Sequence, residues 1–358
     1  MRNMINGILL MIALSGIPFR GIALGATEQE VKLPPISCAG YGEAFYTYGG
    51  KGDCIWDVPR ACLLFGMAFG KDWAMETDVA LTDMKHIALD QFYIEKTFRQ
   101  EIGLRVGYMT MPVGVLNVSD DPFDFFTVNR PECEDAVMPY GWNRLGISLN
   151  GAAGFWEYGL VLSYMPKAGA GEKGEEAQEM RNDFGVAFSI DNFSFPGLRM
   201  SLSGFYGLPE KCRFLGADGI AKQADNSNVF LAVGWVYGNY GLLVRGNADV
   251  AFIHYEAEAN NRTIINPAYA VEAGYDVLHS RPTASSLYLF GRYEYYKRME
   301  GVARPFDSRC DMSSMSFGLN CIPVSQIVLK AQYTRRFGAS PVNEFSIGLA
   351  FSGGSFMK

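Results

Sequence analysis

The chain has 358 residues, 49% of them hydrophobic and 14% aromatic, and carries a formal charge of −7. That length suits one large domain or two ordinary ones, and the acidity argues against nucleic acid as a partner. Mean hydropathy is near zero, and no internal run approaches the ~20 apolar residues that a spanning helix needs, which excludes a helical membrane protein. A transmembrane β-barrel stays open, because its strands carry polar residues at every second position and average to a bland hydropathy.

The first element is a leader. Arg2 precedes the apolar stretch Gly7–Leu14, and small residues follow at Ala23, Gly25 and Ala26. A charged start, a short apolar run and small residues at the cut describe a secretory signal peptide, assigned to residues 1–26. Its loss removes Arg2 and Arg20 and takes the formal charge to −9. Residues 27–36 then form a short periplasmic segment, too short for a plug, and residues 37–358 form the barrel. Seven cysteines in an oxidising compartment permit disulfides. No two are separated by two residues and only three histidines exist, so no metal site or cofactor is expected.

Past the leader the chain alternates between period-two segments and loops. In Trp73–Leu81, one face reads Trp73, Met75, Thr77, Val79 and Leu81, the other Ala74, Glu76, Asp78 and Ala80. In Tyr240–Ala251, Leu242, Val244, Ala248 and Val250 oppose Arg245, Asn247 and Asp249. Tyr269–Leu278 sets Val271, Ala273 and Tyr275 against Glu272 and Asp276. Leu287–Tyr296 sets Leu289 and Tyr293 against Arg292 and Glu294, and Ile327–Arg336 sets Leu329 and Tyr333 against Lys330 and Gln332. With less regular segments the count is about sixteen strands, each near the ~9–11 residues that a tilted spanning strand requires. Charge is almost absent from the apolar faces, as expected where an Arg or Lys facing mid-bilayer lipid costs roughly 2–4 kcal/mol. The exception is Ile87–Phe98, where Asp90 and Lys96 share the phase of Phe92 and Ile94. Either a bulge intervenes there or the register differs.

Gap lengths alternate too. Tight turns are expected near Lys71-Asp72, Arg99–Glu101, Gly151–Gly154, Gly238-Asn239 and Ile322–Ser325. Long loops are expected at Gly49–Pro59, Met111–Arg144, Pro166–Arg181, Leu208–Ser227, Phe252–Ala268 and Arg298–Met312. Short periplasmic turns with long external loops mark an outer-membrane barrel, and aromatic residues such as Trp73, Tyr108 and Tyr164 gather near strand ends. The fold class is therefore all-β, an antiparallel up-and-down transmembrane barrel.

Several patches resemble the phosphate-selective porin O and P family of Gram-negative outer membranes. They are Gly40–Tyr46, Leu104–Met109 with Pro112-Val113-Gly114, Arg130-Pro131-Glu132 leading to Trp142–Gly146, Val271–Asp276, Arg292–Tyr295 and Val328–Tyr333. Each is short, and their order and spacing carry the resemblance. It implies a sixteen-stranded, commonly trimeric porin with a third external loop folded inward, diffusion of small hydrophilic solutes, and preference for anions such as phosphate. It also implies outer-membrane lipid, lipopolysaccharide and the barrel-assembly machinery as partners. The chain departs from that pattern in its net acidity, in loops without a lysine cluster, and in Met357-Lys358 trailing Phe356.

The gap Met111–Arg144 coincides with the family's constriction loop. Selectivity depends on rings of charge at a narrow point, so Arg105, Arg130 and Arg144 are expected to face Asp124 and Glu132 across an eyelet. Glu76, Asp78, Arg245, Asp249, Glu272, Arg292, Glu294 and Lys330 are expected to line the pore. Cys54, Cys133, Cys212 and Cys310 fall in expected external loops and are candidates for loop–loop disulfides. His86 and His254 fall in external loops and His279 in a periplasmic turn, so no catalytic constellation forms and no enzyme is expected. The competing readings are an adhesin or structural barrel and a sugar- or polyphosphate-specific channel.

Overall fold

The computed structural model describes residues 36–49, 54–82, 84, 86–118, 121–138, 141–165, 184–215, 221–257, 260–281, 284–297, 311–338 and 341–357. The expected signal peptide and nearly all of the segment 27–36 lie outside these residues, as do residues 166–183 and 298–310.

Seventeen strands run β1 (Ile36–Gly49), β2 (Cys54–Asp57), β3 (Arg60–Phe69), β4 (Trp73–Thr82), β5 (His86–Arg99), β6 (Ile102–Thr110), β7 (Asn143–Ala153), β8 (Trp156–Tyr164), β9 (Phe184–Phe195), β10 (Leu198–Leu215), β11 (Ala221–Asn239), β12 (Leu242–Ala257), β13 (Asn260–Asp276), β14 (Ser286–Lys297), β15 (Asp311–Val324), β16 (Ile327–Phe337) and β17 (Val342–Met357). A one-turn helix, α1 (Glu132–Asp135), lies between β6 and β7. Each strand pairs antiparallel with its sequence neighbour, and β17 pairs along the whole of β1, from Ile36↔Met357 to Gly49↔Glu344. β2 is a short tag on the β1–β3 hairpin. The remaining sixteen strands close a ring, so every strand finds two partners and no open edge is left to lipid.

The period-two reading sets the faces as expected. Along β13, Tyr269, Val271, Ala273 and Tyr275 are exposed while Ala270, Glu272, Gly274 and Asp276 are buried. Along β16, Leu329 and Tyr333 are exposed while Lys330, Gln332 and Thr334 are buried. The exposed row of a closed barrel is its outside, so the apolar side chains point out and the charges point in.

The misfit in β5 is a bulge. Asp78 pairs with Gln91 and Val79 with Leu89, leaving Asp90 as the extra residue. The bulge places the Asp90 carboxylate in an ion pair with Arg60. Lys96 stays on the apolar side near the β4–β5 end, where its Nζ reaches Asp72 at 3.1 Å and lies 5.1 Å from the Trp73 ring. That is a snorkelling lysine at a strand terminus.

Two expected loops are shorter than the sequence suggests. β10 continues to Leu215 and β11 starts at Ala221, inside the expected loop Leu208–Ser227. β12 runs to Ala257 and β13 starts at Asn260, inside Phe252–Ala268. Polar residues such as Asn226 and Asn266 read as loop in the sequence, yet the backbone pairing extends past the apolar belt. The opposite end turns tightly, as at Tyr240-Gly241, where φ of 50° and 79° gives the left-handed pair that suits strand twist in a two-residue hairpin.

Candidate functional site: the segment between β6 and β7 and the cavity beside it

The described residues between 111 and 142 form a small packed unit with its own polar framework. Met111, Val113, Leu116, Phe125, Phe126, Val128, Val137, Met138 and Trp142 are all buried. Met111 N donates to Trp142 O at 2.8 Å, and the Asn117 side chain spans the same gap, donating to Met111 O and accepting from Trp142 N, each at 2.8 Å.

Glu134, in α1, is fully buried and accepts from three successive backbone N–H groups, Val115 at 2.9 Å, Leu116 at 3.0 Å and Asn117 at 2.6 Å. Burial raises its carboxyl pKa, against the pull of those N–H donors and Arg130. The turn beneath it needs glycine: Gly114 has φ of +83°, and a Cβ there would meet Glu134 Oε1 at 2.4 Å.

The segment lies against the charged faces of many strands. Gly114 N donates to Ser203 Oγ of β10 at 3.0 Å, and Val128 N to Gln332 Oε1 of β16 at 2.7 Å. Glu132 pairs with Arg336 of β16 at 2.6 Å and accepts from Tyr296 Oη of β14 at 2.5 Å. The Lys330 ammonium places its three donors on three carbonyls, those of Pro122, Phe125 and Thr127, at 2.6, 2.9 and 2.9 Å. Glycines on the inward phase make room: a Cβ at Gly234, Gly274 or Gly348 would strike Val115, Phe126 or Val128.

The expected eyelet residues are spread over several places. Arg105 pairs with Glu95 at 2.9 Å and stacks over Tyr93, rather than meeting Asp124 or Glu132. Arg130 reaches Asp135 at 3.3 Å and Leu116 O at 2.8 Å, both in the segment. Arg144 belongs to β7, paired with Met109, and its buried guanidinium sits 5.1 Å from the Phe205 ring. Asp124 donates its backbone N–H to Asp121 O. Glu132 meets an arginine of β16, Arg336, which the sequence reading did not single out.

The wall behind the segment is ion-paired. Glu272 bridges Arg245 and Arg292, each at 3.3 Å, and Arg292 continues to Glu294 at 3.3 Å. Asp249 accepts from Asn247. Of the cysteines expected in loop–loop disulfides, Cys133 is a free, buried thiol here, near Asn247 at 3.6 Å and Arg292 at 3.5 Å. The segment that carries it thus meets β12 and β14. Cys54 Sγ accepts from Tyr46 Oη at 3.1 Å. Cys310 and the side chain of Cys212 lie outside the described residues. Among the described residues, Cys62, Asp78 and Asp90 bring donor atoms within 4.8 Å of one another. Arg60 already donates to both Cys62, at 3.0 Å, and Asp90.

Opposite the paired wall, a cavity of about 460 Å³ remains between the segment and β1, β3–β10 and the end of β17. Glu76 and Asp78, expected to face the lumen, line it; Glu76 accepts from Tyr93 Oη at 2.6 Å.

No family model matches the sequence. An uncharacterised protein of Aquifex aeolicus (strain VF5) is 24% identical over 353 residues, covering 89% of this chain and 79% of that protein. Among solved structures, the loop-L8 deletion mutant of OmpT, an outer membrane protein of Vibrio cholerae, matches with a TM-score of 0.61 at 13% identity, over 90% of this chain and 100% of that one. The anion-selective porin from Comamonas acidovorans matches with a TM-score of 0.60 at 10% identity, over 89% and 99%. The outer membrane channel DcaP of Acinetobacter baumannii matches at 0.55 and 12% identity, over 92% and 100%. This chain thus shares the sixteen-stranded barrel fold of bacterial outer-membrane porins and channels.

Proposed function

We propose that the protein is an outer-membrane porin, a passive diffusion channel for small hydrophilic solutes, with the segment 111–142 as its constriction. What supports this best is an apolar exposed belt around a charged interior, with a cavity of about 460 Å³ beside the segment. Hydrocarbon accepts the outer rows, and a charged interior is tolerable where water reaches it or where each charge is paired. Lysine-to-carbonyl and glutamate-to-amide anchoring hold the narrow point in one shape, as a selective pore needs.

The chain is proposed to be secreted by its leader, inserted by the barrel-assembly machinery among lipid and lipopolysaccharide, and assembled as a homotrimer. A trimer form is recorded for OmpT of Vibrio cholerae. The resemblance to phosphate-selective porins suggests anions as the permeant class, and no catalytic role is proposed. Reconstitution into planar bilayers is the test. Discrete open-channel steps are expected, and a properly folded barrel that gives none would point instead to an adhesin or structural protein.

A further inference from the structure

We propose that the channel prefers cations, small inorganic cations and cationic solutes, over anions. This rests on the pore reading above and goes against the anion preference that the family resemblance suggests.

Acidic side chains outnumber basic ones around the cavity. The cavity beside the segment is lined by six carboxylates, Glu76, Asp78, Glu95, Asp121, Glu157 and Asp191. Its lining cations are three, Arg99, Arg105 and Arg199, and no lysine contributes among the described residues. Two of the arginines are already matched, Arg105 to Glu95 at 2.9 Å and Arg199 to Asp191 at 3.0 Å. What remains facing the cavity is Glu76, Asp78, Asp121 and Glu157 against Arg99. Arg99 sits at the end of β5 and is exposed, so solvent screens it most.

Asp78 supplies a second, independent observation. It is only 6% exposed, lines the cavity, and its Oδ1 has no hydrogen-bond partner. A buried carboxylate oxygen without a donor is costly unless something positive or a water comes to it. A cation in transit meets that requirement and an anion makes it worse. Across the barrel, by contrast, Arg245, Arg292, Arg336 and Lys330 are committed to Glu272, Glu294, Glu132, Glu344 and the segment's carbonyls. The basic side chains of β12, β14 and β16 are thus taken up by partners beside the segment, and on the cavity side Arg60, next to Asp78, is paired with Asp90, so carboxylates stay in surplus around the cavity. A channel with charge of one sign on low-dielectric walls concentrates the opposite ion.

The test is the reversal potential of single channels in planar bilayers under a roughly tenfold KCl gradient, centred near 0.1 M, where the Debye length is about 10 Å. A potassium-to-chloride permeability ratio of at least about threefold is expected, in keeping with wall potentials above thermal energy. It should shrink in ~1 M salt, where the Debye length falls to about 3 Å. A combined Glu76→Gln, Asp78→Asn, Glu157→Gln channel should bring the ratio close to unity while keeping discrete steps. Glu157→Gln alone, at a half-exposed side chain, lowers it partway and serves if the triple variant does not assemble. Absence of steps in the wild type would defeat the pore reading itself. Steps with chloride preference or no preference would overturn the cation inference and leave the pore standing. A potassium preference unchanged in Glu157→Gln and in any assembled triple variant would overturn the assignment to these carboxylates.

Discussion

Glu134 shows how one side chain can decide the shape of a long connection. Its carboxylate closes three backbone N–H groups that would otherwise be buried without acceptors. Each orphaned group costs about 1–3 kcal/mol. Glu134→Ala is therefore expected to loosen residues 111–142 while the barrel survives, seen as new cleavage in this segment under limited proteolysis in detergent. Glu134→Gln keeps an acceptor oxygen and should lose much less. Two neighbouring carboxyls report on the same burial. Burial pushes Asp135 up to about 6 despite Arg130, and burial with Asp124 nearby does the same to Asp121. A raised carboxyl pKa means the folded state disfavours the ionised form. The penalty is fully present above about 6 and fades as the pH falls toward the ordinary carboxylate range near ~4. Carbon-detected NMR titration in micelles should show inflections near 6 for both, and ordinary values would contradict the buried placement.

At the scale of the element, the segment and β16 act as one piece. Lys330 spends all three donors on segment carbonyls and lies 4.2 Å from the Phe125 ring. Lys330→Met preserves most of the stem but leaves three inward carbonyls without a partner, at about 1–3 kcal/mol each. The expected result is a segment released from the wall, read as a larger and noisier single-channel conductance with the barrel's heat resistance nearly unchanged. Unaltered conductance would show that the segment is held by its apolar contacts with β11, β13 and β17 instead. The period-two pattern announces Lys330 as inward, but its three acceptors come from residues about two hundred positions away, so no local pattern reveals them. The glycines at 234, 274 and 348 were the legible trace. They fall on inward phases where a side chain would be expected, and each faces a bulky residue of the segment.

For the whole molecule, stability depends on closure and on the outer belt. Leu349 is exposed midway along β17, whose other edge pairs with β1 to close the ring. Leu349→Arg should destabilise the barrel by about 2–4 kcal/mol in lipid vesicles, measured by denaturant unfolding, because a guanidinium at that depth is desolvated. The same substitution in short-chain detergent, where water reaches the belt, should cost much less. A soluble sheet protein would show no such dependence on the surrounding phase.

The strand phases, the strand number near sixteen, the inward charges and the break of phase in Ile87–Phe98 were all carried by the sequence, because each follows from neighbours one or two residues apart; that the break is a bulge at Asp90 came from the pairing with β4. The extent of β10–β13 past the apolar belt was not, since pairing between two polar strands leaves no hydropathy signal. The arginine partners were also decided only in three dimensions. Sequence placed Arg105, Arg130 and Arg144 on inward or loop positions, but which carboxylate each one meets depends on barrel stagger and on how residues 111–142 lie across distant strands. Local alternation fixes a direction for every side chain. Only ring closure fixes what stands opposite it.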